Sequence, residues 1–227
     1  MEIESINQRF YLFKQASLMM QKKPEHYFSR FNYSACELWL CTEICQIINF
    51  DDGNLQGASS GEWFVYNEDD KRDITLYSNG TENKPKISSH IEVKLIYPTV
   101  RSKFENAIES LYIKLHSSYN HGYAQEGWVY LVWTQHYSTP SEDFFESREA
   151  WIREIIGKKE ILDCNGLKMS PVFTSLQDIT EGTLFWRGKE KQIIVKAMAF
   201  SFVDNFRTII KQVKKDWAQT FKILADR

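Results

Sequence analysis

Two acidic residues and a lysine lie close together in one stretch of the chain: Asp73, then Glu92 and Lys94 on either side of Val93. They fall in short runs with β character, Asp73-Ile74-Thr75-Leu76-Tyr77 and His90-Ile91-Glu92-Val93-Lys94-Leu95-Ile96. A strand alternates its side chains between faces, so Glu92 and Lys94 project to one side while Ile91, Val93 and Leu95 project toward a core. Carboxylates on neighbouring strands offer Mg²⁺ the hard oxygen ligands it prefers, while the ion keeps several waters and shares phosphate oxygens. A metal held there lowers the pKa of a bound water and stabilises the charge that develops during phosphodiester hydrolysis. Lys94 is the group expected to orient that water or help deprotonate it.

The elements needed to position these groups can be read along the chain. Residues 6–21 form a first amphipathic helix. A second starts at Ser34, where Ser34-Ala35-Cys36-Glu37 fits a capping box, and runs to about Asn49. On this helix Leu40, Cys41, Ile44, Cys45, Ile47 and Ile48 form an apolar arc, and Glu37 projects near its middle whereas Glu43 lies outside it. A carboxylate on a buried face needs a partner, which makes Glu37 a candidate site residue. The capping box explains it equally well, and both readings stand at this stage. Glu62–Tyr66 is a strand candidate, 51–61 and 78–89 are loops, and Phe104, Ile108, Leu111 and Leu115 mark a helix from Arg101 to about Ser117. Trp128–Trp133 is unbroken apolar sequence, as expected of a strand covered on both faces. Thr139-Pro140-Ser141-Glu142 opens another helix with proline at its first position, stopped at Gly157. Strands are expected around 169–174, 183–187 and 192–200, and a final helix over 204–225. The order predicts an α/β fold, a mixed central β-sheet flanked by helices in a single domain, 1–227.

This order and these residues resemble the PD-(D/E)XK nuclease superfamily, whose restriction-endonuclease-like core is a helix, a three-stranded meander carrying the acidic residues, a second helix and a further strand. Residues 34–134 match that order. Arg72-Asp73 stands where the family often has Pro-Asp, so the proline is absent, while Glu92-Val93-Lys94 matches the second half without change. The resemblance implies Asp73, Glu92 and the Val93 carbonyl as metal ligands, Lys94 as a catalytic residue, and an acidic residue on the first core helix, here Glu37, in contact with the site. It further implies a Mg²⁺-dependent endonuclease (Mn²⁺ as substitute) acting on double-stranded DNA, of restriction or mobile-element type, with a homodimer cutting one strand per subunit. As a string the triplet is not distinctive, because Glu82-Asn83-Lys84 repeats it in a proline-flanked polar loop. Two plainer readings compete: a cross-strand ion pair on an exposed sheet face, and a non-catalytic nucleic-acid-binding or interaction protein on the same fold.

Composition narrows the setting. The net charge of −2 argues against a generic basic nucleic-acid coat, but charge is uneven: residues 187–227 carry ten Lys/Arg against four Asp/Glu, a net +6, leaving −8 over the rest. In the expected last helix, Arg207, Lys211, Lys214, Lys215 and Lys222 collect on one side, opposite Phe206, Ile209, Ile210, Val213, Trp217 and Leu224. That stripe is either a surface that follows a phosphate backbone or a solvated helix face. The four cysteines, Cys36, Cys41, Cys45 and Cys164, lack metal-ligand spacing, and the five histidines are scattered. Cysteines that read as small buried hydrophobes, together with no signal peptide and no run of ~20 apolar residues, predict a cytoplasmic protein without a membrane span. Glu62, Gln125 and Gln135 are polar residues near the expected site that carry no discriminating signal.

Overall fold

The structure, a computed structural model, describes residues 10–31, 37–50, 63–68, 72–79, 85–119, 124–136, 139–162 and 166–204. In chain order the elements are α1 (Tyr11–Gln21), α2 (Pro24–Tyr27), α3 (Glu37–Phe50), β1 (Trp63–Asn67), β2 (Ile74–Asn79), β3 (Pro85–Ile96), α4 (Arg101–Tyr119), β4 (Ala124–Thr134), α5 (Ser141–Gly157), β5 (Ile161–Leu162), β6 (Lys168–Phe173), β7 (Gln177–Trp186) and β8 (Lys189–Asp204). The eight strands form one sheet, seven of them in the order β1-β2-β3-β4-β8-β6-β5, with β7 paired to β8 off this path. The long β8 has β4 along one edge, and β7 followed by β6 along the other. Every pairing is antiparallel except β3 with β4, which α4 connects. A parallel pair requires such a crossover, and the apolar stripe of α4 supplies one.

Alternation along the central strands sorts two cores onto the two faces. Ile91, Val93, Leu95, Trp128, Tyr130 and Val132 pack with Phe13 and Met20 of α1 and with Leu40, Ile44 and Ile48 of α3. Ile96, Val129, Leu131, Trp133, Met198 and Phe200 pack with Phe104, Ile108 and Leu115 of α4 and with Phe144 and Ile152 of α5. The expected α/β architecture, a mixed sheet flanked by helices, is therefore observed, and β4 is buried on both faces. The Asn49 side chain fixes α3 to the sheet edge: its amide donates to the Val65 carbonyl at 2.8 Å and its oxygen accepts from the Val65 N–H at 3.0 Å. It thereby occupies backbone groups that an edge strand would otherwise leave open.

Several boundaries differ from the sequence reading. β3 begins at Pro85, well inside the expected 78–89 loop, because proline is tolerated as the first residue of a strand. Pro140 is the N-cap of α5 rather than its first helical residue, with extended backbone (ψ 148°) and no side-chain cap, and the Thr139 carbonyl accepts the Trp133 indole N–H at 3.1 Å. The strands expected at 183–187 and 192–200 are the inner parts of a longer hairpin, β7–β8, which turns at Arg187-Gly188, both with positive φ. Asp204 ends β8 instead of starting a helix. The remainder of the expected terminal helix lies outside the described residues, as do Ser34 and the rest of the capping box before Glu37, Glu62, the 51–61 loop and the Glu82-Asn83-Lys84 repeat.

Candidate functional site

The site begins where β2 stops pairing with β3. Their last register pair is Ile74 with Ile91, so the main chain of β3 beyond that point has no partner from β2. Two carboxylates substitute for the missing strand. Asp73 Oδ2 accepts from the Val93 N–H at 2.8 Å, and Glu37 Oε1 accepts from the Leu95 N–H at 3.3 Å. The Glu68 N–H donates to the Asp73 carbonyl at 3.1 Å, closing the β1–β2 turn and fixing the backbone from which the Asp73 side chain departs. Asp73 is thus held from its main chain and from one carboxylate oxygen, with the other oxygen, Oδ1, directed elsewhere.

That second oxygen meets a residue absent from the sequence reading. Lys114, from α4, hydrogen-bonds Asp73 Oδ1 at 3.2 Å and places the same ammonium 3.1 Å from Glu92 Oε2. Arg72 Nη1 lies 3.3 Å from the other Glu92 oxygen and also donates to the Lys114 carbonyl at 3.2 Å and toward Ser117 Oγ at 3.4 Å. Glu92 itself is fully buried, at 0% exposure, and among the described residues Oε2 accepts no well-aligned hydrogen bond despite the nearby ammonium. Burial pushes the Glu92 carboxyl above its ordinary range, the charge of Asp73 pushes it further, and Lys114 and Arg72 oppose the rise. Burial alone would lower Lys114, but the charges of Glu92 and Asp73 outweigh it and hold the ammonium above the usual lysine value.

Lys94 forms a second pair. Its ammonium lies 2.7 Å from Glu37 Oε1, the oxygen that also receives the Leu95 N–H. The structure therefore gathers Asp73 and Glu92 around Lys114 and Arg72, and joins Glu37 to Lys94 farther along the same edge of β3. Three carboxylates face three cations. With Glu37 drawn toward Lys94, no group of three or more His, Cys, Asp or Glu side chains among the described residues is arranged to hold a metal ion. Val93 is buried, its side chain in the core of the α3 face.

Close packing beneath the site brings its elements together. Gly127 on β4 stands in register with Glu92 on one side and Phe200 on the other. A Cβ at Gly127 would come within 2.6 Å of the Phe200 ring and 3.0 Å of Leu115 Cδ1, so the bare backbone is what lets Phe200 lie across β4 and α4 approach the sheet. On the opposite face, Cys41 and Cys45 are buried free thiols. Burial pushes Cys45 up to about 12, and Cys41 rises further through burial together with the charge of Asp73. His90 is structural, with Nδ1 3.1 Å from the buried Thr75 hydroxyl. Gln125 is buried on β4 opposite His90, whereas Gln135 is exposed near Gln192.

Arg72 carried a signal, since it occupies the position where the resemblance has proline. Lys114 carried less: it lies between the buried Leu111 and Leu115, at the margin of the α4 apolar stripe, where a lysine ordinarily serves as a solvated flank. No helix among the described residues is long and apolar enough to cross a membrane. No known family model, curated protein or solved structure matches this chain.

Proposed function

We propose that the chain is a metal-dependent nuclease that hydrolyses phosphodiester bonds in DNA, built on a restriction-endonuclease-like core. The observation that carries this reading is the convergence of Asp73 and Glu92 on one cationic group at the edge of β3 beyond its last pair with β2. The succession α3, the antiparallel β1-β2-β3 meander, α4 and β4 agrees with the element order of that core.

The donor set suits Mg²⁺ or Mn²⁺. A single ammonium already bridges Asp73 Oδ1 and Glu92 Oε2, so a cation can be shared by the two carboxylates. The N–H and C=O of a strand residue point the same way, so the Val93 carbonyl lies on the edge where its N–H meets Asp73. Asp73, Glu92 and the Val93 carbonyl would hold the ion. When bound, it would supply an acidified water and charge stabilisation at the scissile phosphate. The chain's own residues do the positioning. The Val93 and Glu68 N–H groups fix Asp73, and sheet register together with Arg72 fixes Glu92. Glu37 holds the Lys94 ammonium at the same edge of β3, where it would orient the attacking water and balance developing negative charge. Arg207, Lys211, Lys214, Lys215 and Lys222 would follow the DNA backbone, and a homodimer would cut both strands.

A plasmid assay tests the reading. Supercoiled DNA should be nicked or linearised with Mg²⁺ or Mn²⁺ and spared with a chelator, and Asp73→Ala and Lys94→Ala should each abolish cutting while the circular dichroism spectrum is retained. Undiminished cutting by both variants would sink the site assignment. A second reading, a non-catalytic nucleic-acid-binding or interaction protein on this architecture, is favoured by the even balance of three carboxylates and three cations, which is self-sufficient as an ion cluster. Calorimetric titration with Mn²⁺ separates the two, since only the nuclease needs to bind it.

A further inference from the structure

We propose that the Lys114 ammonium is a resident counter-ion in the seat of the divalent cation, and that metal binds by exchange, with Lys114 withdrawing to solvent as the ion takes its place. This inference rests on the metal-dependent reading above. Among the described residues, Lys114 is the one side chain whose charged group contacts both Asp73 and Glu92, at 3.2 and 3.1 Å. A fully buried carboxylate must be paired or protonated, so an ionised Glu92 needs a cation whether or not metal is present.

The two basic partners of Glu92 differ in their freedom to leave. Arg72 has a side chain only 16% exposed and is braced by the Lys114 carbonyl and Ser117 Oγ as well as by Glu92. Lys114 has a side chain 45% exposed. Its backbone is held independently, because Leu111 and Leu115 on either side are buried in the core. The lysine stem can therefore swing outward without unpacking α4, exchanging its contacts to the two carboxylates for water, whereas Arg72 is less exposed and is also held by the Lys114 carbonyl and Ser117. A divalent ion and an ammonium cannot both sit between the same two carboxylates, since they repel at contact distance. The arrangement assigns Arg72 as the fixed neutralising charge and Lys114 as the exchangeable one.

Two measurements independent of cleavage test the exchange. In the wild-type protein, acetylation of lysines by a small amine-reactive ester, read residue by residue by mass spectrometry, should rise several-fold at Lys114 when Mn²⁺ is added. Lys159, paired with Glu109 away from the site, should stay constant. In calorimetry, Lys114→Met should bind Mn²⁺ at least about tenfold more tightly than wild type, the scale on which one neighbouring charge shifts a proton equilibrium. Unchanged labelling of Lys114 in a wild-type protein that binds Mn²⁺ would overturn the exchange, even if Lys114→Met fails to fold. So would equal or weaker binding by a folded Lys114→Met. If neither protein binds Mn²⁺, the metal-dependent reading falls as well, which distinguishes the two failures.

Discussion

The Val93 N–H donates to Asp73 Oδ2 at 2.8 Å at the point where a longer β2 would have supplied a carbonyl. One side chain therefore continues the ladder and also presents its second oxygen to the site. Removing it should cost stability as well as chemistry. Asp73→Ala leaves the Val93 N–H without its acceptor and should lower stability by about 1–3 kcal/mol. Asp73→Asn keeps an oxygen acceptor and should lose less. Urea denaturation compares the two, and both should fail in the plasmid assay. Equal stability losses would show that the hydrogen bond is not what holds this turn.

Glu37 and Lys94 form a partly exposed pair at 2.7 Å, so their contribution to stability should be modest. A double-mutant cycle with Glu37→Gln and Lys94→Met should give a coupling of roughly 0.5–1 kcal/mol in denaturation. Its functional effect should be far larger. Lys94→Met should reduce cleavage by at least ~100-fold, the scale of a lost positioned acid–base or water-orienting group. A cleavage loss no greater than the stability loss would reduce the pair to an ordinary surface bridge.

Gly127→Ala should destabilise by about 1–3 kcal/mol, because the added methyl group meets the Phe200 ring and Leu115 in a filled core. Leu115 adjoins Lys114, so the strain should reach the site. Thermal melting should show the loss. The double variant Gly127→Ala/Phe200→Leu should recover part of it, since the closest contacts are with that ring.

Acidity at the site gives a pH signature. The Glu92 pKa is raised in the fold, so between the ordinary glutamate value and the folded value the native protein binds more protons than the unfolded chain. Stability from this group is present below the ordinary value and is lost as pH rises through the folded pKa. Glu92→Gln should remove that downward slope in urea midpoints measured across the window. Lys114 is also raised, so its contribution should persist below its ordinary 10.5 and fade as pH climbs through its folded value. Lys114→Met should flatten the alkaline limb and, because Lys114 opposes the rise of the Glu92 carboxyl, move the Glu92 limb to higher pH.

What was legible in the chain was local. Alternation placed Glu92 and Lys94 on one face of β3, and the three- and four-residue spacing on α3 picked out the six residues that are buried there. Unbroken apolar sequence identified the interior of β4. Glu37 was recognisable as a polar intruder on an apolar arc, but its partners, Lys94 and the Leu95 N–H, lie far away in sequence and only packing brings them near. Lys114 and the full burial of Glu92 were illegible for the same reason. Period-two alternation says which face a side chain takes, not which helix covers that face. The first half of β7 was missed because Gln177, Asp178, Thr180 and Glu181 look like loop residues, and it is pairing with β8 that orders them.

The two acids and their neutralising lysine reach the site by routes of different length. Asp73 immediately precedes β2 and Glu92 stands on the next strand, β3, whereas Lys114 is 41 residues from Asp73 and arrives only when α4 docks. If the β2–β3 hairpin forms before α4 docks, it brings the two carboxylates together with Arg72 beside Glu92 and without Lys114. Such a local conflict is relieved by a contact of higher sequence separation, which puts completion of the site after the hairpin on the folding route. Lys114→Met should then hasten unfolding while leaving the refolding rate nearly unchanged in stopped-flow chevrons, whereas slowed refolding would place α4 docking in the nucleus. On this route the charge in the seat arrives after the hairpin that carries the acids, so Lys114 in place marks α4 as docked.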